Sequence, residues 1–172
     1  LRVAVMSGVV AVAAGLVLAR TGSRVASRAA RTAIQVLAMA PIVTPVILLA
    51  IGTFDVQDTL GLLNTDLGLV LAHAALSLPF TFIILANALS GTDESLEEAA
   101  WVMGVSRTRA FWSVVVPTIW LAIGGAFLIS FVTSWDEVVI ALFQVGLDKT
   151  LPVRIYADIL SGASPVVSGV AV

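Results

Sequence analysis

Four stretches of this chain contain no Asp, Glu, Lys or Arg: Val3 to Ala19, Thr32 to Phe54, Leu67 to Thr92 and Ala110 to Trp135. A helix needs roughly 20 predominantly apolar residues to cross the hydrocarbon core of a bilayer, where each backbone polar group must find its partner inside the protein. A soluble domain of 172 residues, 59% of them hydrophobic and 12% charged, could not hide so much apolar surface in one core. The pattern predicts an all-α, polytopic membrane protein with about four full spanning helices. A further apolar run opens at Pro165 and stops at Val172, read as the start of a fifth span. The first residues already belong to an apolar run and the last run is unfinished, so residues 1–172 are expected to be a piece of a single transmembrane domain, clipped at both ends. A signal peptide over residues 1–19 fits less well, because it would begin with a basic region and end in a small-residue cleavage site.

The loops alternate in charge. Arg20, Arg24, Arg28 and Arg31 lie between the first two runs with no acid among them, whereas the next loop carries Asp55, Asp58 and Asp66 and no base. Positive charge marks the cytoplasmic side, so the first loop is expected inside and the second outside. One more crossing puts the loop with Glu98, Arg107 and Arg109 inside, and the last loop, with Asp148, Lys149, Arg154 and Asp158, outside. The arginines are read as setting topology rather than as touching a solute.

The inner loop over 91–113 has its own physics. Ser95 followed by Glu98 fits a capping box and predicts a short helix starting there. Gly104 offers the left-handed conformation that ends a helix, and Ser106 can cap the next one. The expected product is a helix-turn-helix elbow whose second arm, roughly 107–113, runs into the fourth span, with Pro117 near its first turn or at a kink. From the residues alone, a solvated hairpin with a permissive glycine explains this loop equally well.

The full spacing adds a resemblance. Glu98-Ala99-Ala100, three residues, Gly104, and Pro117 thirteen residues after the glycine resemble the cytoplasmic signature loop of ABC-importer permeases. That loop reads Glu-Ala-Ala, three residues, Gly, nine residues, Ile, any residue, Leu, Pro, and here Val114 and Val116 replace its Ile and Leu. The resemblance implies a type I permease fold in a bacterial inner (plasma) membrane. It implies that loop 91–113 docks on a cytoplasmic ATPase dimer through Glu98, Ala99, Ala100, Gly104, Arg107 and Pro117. The implied partners are that dimer, a second permease subunit, an external solute-binding protein and the lipid bilayer, with no nucleic acid. ATP and Mg would sit on the ATPase and no cofactor on this chain, which has no phosphate-cradling Gly-x-x-x-x-Gly-Lys-Ser/Thr loop and no expected catalytic residue.

A path for solute is sought where polar residues interrupt apolar helix. Ser130, Thr133, Ser134, Glu137 and Gln144 recur at spacings of three, four and seven, which would put them on one helical face. Asp136 and Glu137 beside Trp135 could hold an ammonium group by ion pairing and cation–π attraction, or could be hydrated acids at the outer boundary. The stretch from Ser134 to Ile140, followed by Thr150 to Tyr156, is similar to the second permease of spermidine/putrescine importers. Relatives for other organic amines, opines or amino-acid-like solutes resemble it almost as closely. The shared face and the resemblance, which points to Trp135, Asp136 and Glu137, together give Ser130, Thr133, Ser134, Trp135, Asp136 and Glu137 as expected substrate-pathway residues, and the resemblance implies a polyamine or related organic amine as cargo. The alternative is an ion-driven secondary transporter or cation channel using Asp136 and Glu137. An intramembrane enzyme lacks its residues: there is no His-Glu-x-x-His motif and no paired His/Asp set. No metal site is expected, since Cys is absent and His73, the one His, is read as a hydrogen-bonded structural residue.

Overall fold

A computed structural model describes residues 1–145 and 150–160 of the protein. Every regular element among the described residues is helical. The order is α1 (Arg2–Arg24), α2 (Arg28–Val43), α3 (Val46–Leu60), α4 (Asp66–Ser90), α5 (Glu94–Val102), α6 (Arg107–Ala110), a π-helical turn (Phe111–Val115), α7 (Val116–Thr118), α8 (Trp120–Trp135), α9 (Val139–Val145) and α10 (Leu151–Leu160). The fifth apolar run, from Pro165, lies outside the described residues, as do Asp148 and Lys149.

Two helices, α1 and α4, are long and apolar enough to cross a membrane unbroken, and the count is four if each of two bent pairs is one span. Two of the four predicted runs are bent. Predicted run Thr32 to Phe54 is two helices, α2 and α3, meeting at 112°. Thr44 between them is extended, at φ −89° and ψ 125°, because the ring of Pro45 disfavours helical geometry in the residue before it. The Thr44 hydroxyl donates to Ala40 O at 2.8 Å, satisfying a carbonyl in the last turn of α2. In the run Ala110 to Trp135, the axis turns by 74° at Ile119, two residues beyond Pro117.

The bundle centres on α1, α4 and α8. Ser7 Oγ donates to Val70 O at 3.2 Å and Thr81 Oγ1 to Ala11 O at 3.0 Å, so α1 and α4 run parallel. Two consecutive parallel spans require the chain between them to cross back, which α2 and α3 do in two pieces. Ala38 of α2 packs with Phe82 and Leu85 near the end of α4, while Ala50 of α3 packs with Ala72 nearer its start. Helix α8 runs antiparallel to both, with Ser130 bonded to Ser77 and Ser134 to His73. Lipid tails are as apolar as leucine, so close van der Waals packing and interhelical hydrogen bonds, rather than hydrophobic burial, hold such helices together. The sequence supplies that closeness with small residues: Ala4, Ser7, Ala11, Ala19, Ala72 and Ala126 are all buried at the contacts. The outward faces stay apolar, with Val9, Val17, Leu128 and Val132 each more than half exposed, as lipid contact requires.

The bundle has two chemically distinct ends. Arg20 and Arg24 meet α5 at one, where Arg28 and Arg31 follow in the first turns of α2, and Asp55, Asp58, Asp66 and Asp136 lie towards the other. Between α8 and α10, α9 turns back against α3 and α4, where Gln144 Nε2 donates to Thr53 Oγ1 at 3.0 Å and Gln144 O accepts from Asn64 N at 3.1 Å.

Candidate functional site

At the arginine end, α5 begins two residues earlier than the capping box predicts. Asp93, not Ser95, is the N-cap: its carboxylate accepts from Ser95 N at 2.9 Å, and no bond from Glu98 returns to Ser95. A charged cap two residues earlier outcompetes the serine because a carboxylate makes the stronger, charge-assisted bond to an orphan amide and also complements the positive helix end. The hydrogen bond from Ser95 holds the exposed Asp93 carboxyl below the usual aspartate range. The helix ends as expected. Gly104 adopts φ +83°, Gly104 N donates to Trp101 O at 2.9 Å and Val105 N to Ala100 O at 3.0 Å, the paired bonds of a Schellman turn. Ser106 caps α6 through Arg109 N at 3.4 Å.

The second arm then widens into the π turn, where Val116 N donates five residues back to Phe111 O. Pro117, which follows, has no N–H and crowds the carbonyl four residues earlier, so a wider turn relieves the contact. Of the predicted docking residues, Glu98, Ala99, Gly104, Arg107 and Pro117 are exposed and Ala100 is buried. Val102 and Met103, 89% and 76% exposed, extend the outward surface of the elbow with apolar side chains.

The inward side of the elbow carries residues that sequence reasoning did not assign. Glu97 is buried and accepts from Arg20 on one carboxylate oxygen and from Arg24 on the other. The Arg20 guanidinium also lies 4.7 Å from the Phe111 ring centroid, and those of Arg24 and Arg107 lie 5.4 Å and 4.7 Å from that of Trp101. The signal was a basic loop with no acid of its own, which needs counter-charges from elsewhere in the chain.

At the opposite end, the predicted pathway residues divide. Helix α8 stops at Trp135, so Glu137 and Gln144 do not continue its face as predicted. Ser130 and Ser134 are buried against α4, with Ser130 Oγ donating to Ser77 Oγ at 2.6 Å and Ser134 Oγ bonded to His73 Nδ1 at 2.7 Å. His73 is thus the hydrogen-bonded buried residue expected of it. Thr133 is half-buried and its hydroxyl donates to Ile129 O of its own helix at 2.9 Å.

The adjacent carboxylates have different surroundings. Glu137 is buried, caps α9 by accepting from Ile140 N at 3.0 Å and Ala141 N at 3.1 Å, and lies 3.6 Å from His73 Nε2. Asp136 is exposed in a cleft of about 290 Å³ that Trp135 lines on the α8 side and Pro152, Ile155 and Tyr156 on the α10 side. Tyr156 is an aromatic wall that no sequence pattern singled out, since its place opposite Trp135 depends on how α10 folds back.

Among the described residues, a helical bundle with bent, apolar spans and an exposed polar elbow defines the class as a polytopic membrane protein. The chain belongs to the family described as binding-protein-dependent transport system inner membrane component, whose model matches residues 11–172. It is 40% identical over 111 residues to the Streptomyces antibioticus ORF1 product, named as an ABC transporter permease protein, covering 63% of this chain and 48% of that one. It is 29% identical over 129 residues to the Haemophilus influenzae spermidine/putrescine transport system permease protein PotC, covering 74% and 50%. It is 34% identical over 98 residues to the Agrobacterium fabrum sulfoquinovosyl glycerol transport system permease protein SmoH, covering 57% and 34%. The chain therefore spans about half the length of ORF1 and PotC, and less of SmoH.

Proposed function

We propose that these residues form part of a single permease domain in the bacterial inner membrane, and that the protein is the transmembrane subunit of an ATP-driven, binding-protein-dependent importer. The elbow at 91–113 faces the cytoplasm in this reading and docks on a separate ATPase dimer. The observation that carries the reading is the outward surface of the elbow: Glu98, Ala99, Gly104 and Arg107 are exposed beside bare Val102 and Met103. Exposed apolar side chains on a polar, well-capped helix favour a protein partner over water. Closure of the ATPase dimer would shift the bundle between inward-open and outward-open states, since a partner can bias such an equilibrium only through contacts that differ between them. ATP and Mg belong to the ATPase, and a second permease subunit and an external binding protein complete the assembly.

The cargo we propose is a polyamine or a related organic amine. The cleft of Trp135, Asp136 and Tyr156 supports it, because a carboxylate flanked by two aromatic rings suits an alkylammonium group by charge and by cation–π attraction. The likeness to PotC supports it as well, whereas SmoH is named for sulfoquinovosyl glycerol, a sulfonated sugar conjugate and not an amine. The test is uptake of labelled putrescine and spermidine by the full-length protein in liposomes with its ATPase, second permease and binding protein. ATP-dependent uptake is the expected result. Uptake that persists without ATP would favour an ion-driven transporter or channel, and ATP hydrolysis stimulated by the binding protein with neither amine moving would leave the importer and remove the cargo.

A further inference from the structure

Elbow and bundle are joined covalently at both ends of the elbow and, through side chains, at α1. One covalent route is the short link 91–93 from α4 into α5, which fixes the position of the first turn of α5 but not its tilt; the other runs through α6, the π turn and α7 into α8, and it contains both a widened turn and the 74° bend at Ile119. A rod interrupted twice within a few residues bends under load before it transmits a push. The side-chain route is α1, an unbroken helix of 23 residues that ends against the elbow and packs along both α4 and α8.

The contact at that end is built from side chains far apart in sequence. Glu97 gives one oxygen to Arg20 and the other to Arg24, which stand one helical turn apart on α1. Two guanidiniums on separate oxygens fix the carboxylate in position and in tilt, and charge-assisted bonds are the strong ones. The Glu97 side chain is 4% exposed, against 23% for Arg20 and 38% for Arg24. Each arginine also lies over a ring of the elbow: Arg20 over Phe111 in the second arm, Arg24 over Trp101 in the first. Both arms are thereby held to the end of α1.

We propose that Arg20, Arg24 and Glu97 are positioning residues that make α1 and the elbow one rigid body, so that force on the outer face of α5 moves α1 directly, together with the helices packed on it. The proposal rests on the importer reading above. It requires the clamp to remain closed throughout the transport cycle, whereas an elbow that slides past α1 would have to open it.

The experiment uses the full-length protein assembled with its ATPase, second permease and binding protein in liposomes, reading uptake and ATP hydrolysis on the same sample. Glu97→Gln keeps the shape and removes the charge; uptake per ATP hydrolysed should fall roughly tenfold while hydrolysis stays sensitive to the binding protein. In the second arm, Arg20→Cys is combined with Glu97→Cys, at positions where the 172 residues offer no competing cysteine, and the pair is joined by a thiol-reactive bridge as long as the ion pair it replaces. The bridge should restore the uptake that the unbridged pair loses. Bridged protein that hydrolyses ATP without transport, or Glu97→Gln with unchanged uptake per ATP, overturns the proposal. Wild-type assemblies that show neither binding-protein-stimulated hydrolysis nor ATP-dependent uptake would instead overturn the importer reading, and the clamp's role with it.

Discussion

A Cβ on Gly15 would lie 2.5 Å from Thr81 Oγ1 and 3.1 Å from Phe82 N. The hydroxyl could turn away only by giving up its bond to Ala11 O, and the amide is backbone, so neither yields cheaply. Gly15→Ala is therefore expected to destabilise the α1–α4 pair by about 1–3 kcal/mol, read as an earlier thermal transition of the detergent-solubilised protein. Gly104 is the opposite case. Nothing lies within 4 Å of its would-be Cβ, but φ is +83°. Gly104→Val should cost about 1–2 kcal/mol through backbone strain confined to the elbow, and Gly104→Asn should recover part of it, measured as ATPase association and uptake with insertion unchanged. The two glycines also mark what a sequence discloses. Gly104 is legible because polar capping residues and a fixed spacing surround it. Gly15 sits in seventeen residues without charge, where nothing local says which small residue meets a neighbour. Arg20 and Arg24 were legible as charges but not as partners of Glu97, which lies 77 and 73 residues away.

Helix ends and helix breaks carry the next level of argument. Since Asp93 caps α5, Asp93→Ala should loosen its first turn, and Ser95→Ala, which keeps the backbone N–H that Asp93 accepts from, should loosen it much less. Amide exchange of residues 94–97 would report the difference, and equal effects of the two variants would return the cap to the serine. The carboxyl of Asp93 titrates below its ordinary range, so its contribution to the cap is full above the unfolded-state value and is lost as pH falls through the depressed one. Element type was largely readable here, because charge-free runs of helical length leave few alternatives. Element continuity was not. Pro117 announced a kink and Pro45 stands at the break between α2 and α3, yet a proline fixes only its own φ and the geometry of the residue before it. The 112° turn between α2 and α3 depends on how their ends pack on α4 and α9, information spread over the whole fold.

At the scale of the molecule, the two neighbouring acids at the end of α8 belong to different systems. Asp136 opens into the aromatic cleft, while Glu137 ties α9 to the bundle by accepting two backbone N–H groups and approaching His73. The sequence presents them as one pair because adjacency is all it records; the helix end at Trp135 between them and the core sends their side chains to different surroundings. Their variants should therefore separate. Asp136→Asn is expected to lower the affinity for a cationic solute by roughly 10-fold, the scale of one partly desolvated ion pair, with the protein's thermal transition unchanged. Glu137→Gln removes a charged acceptor from a buried cap, so it should lower the thermal transition and uptake together, by about 1–3 kcal/mol in stability. Concentration-dependent uptake of putrescine by each variant, set beside its unfolding curve, distinguishes the two. A rise in half-saturation for Asp136→Asn alone would assign the cleft to the amine. Equal rises in both variants, with both proteins stable, would return the two acids to one shared binding site and dissolve the division between cargo cleft and structural cap.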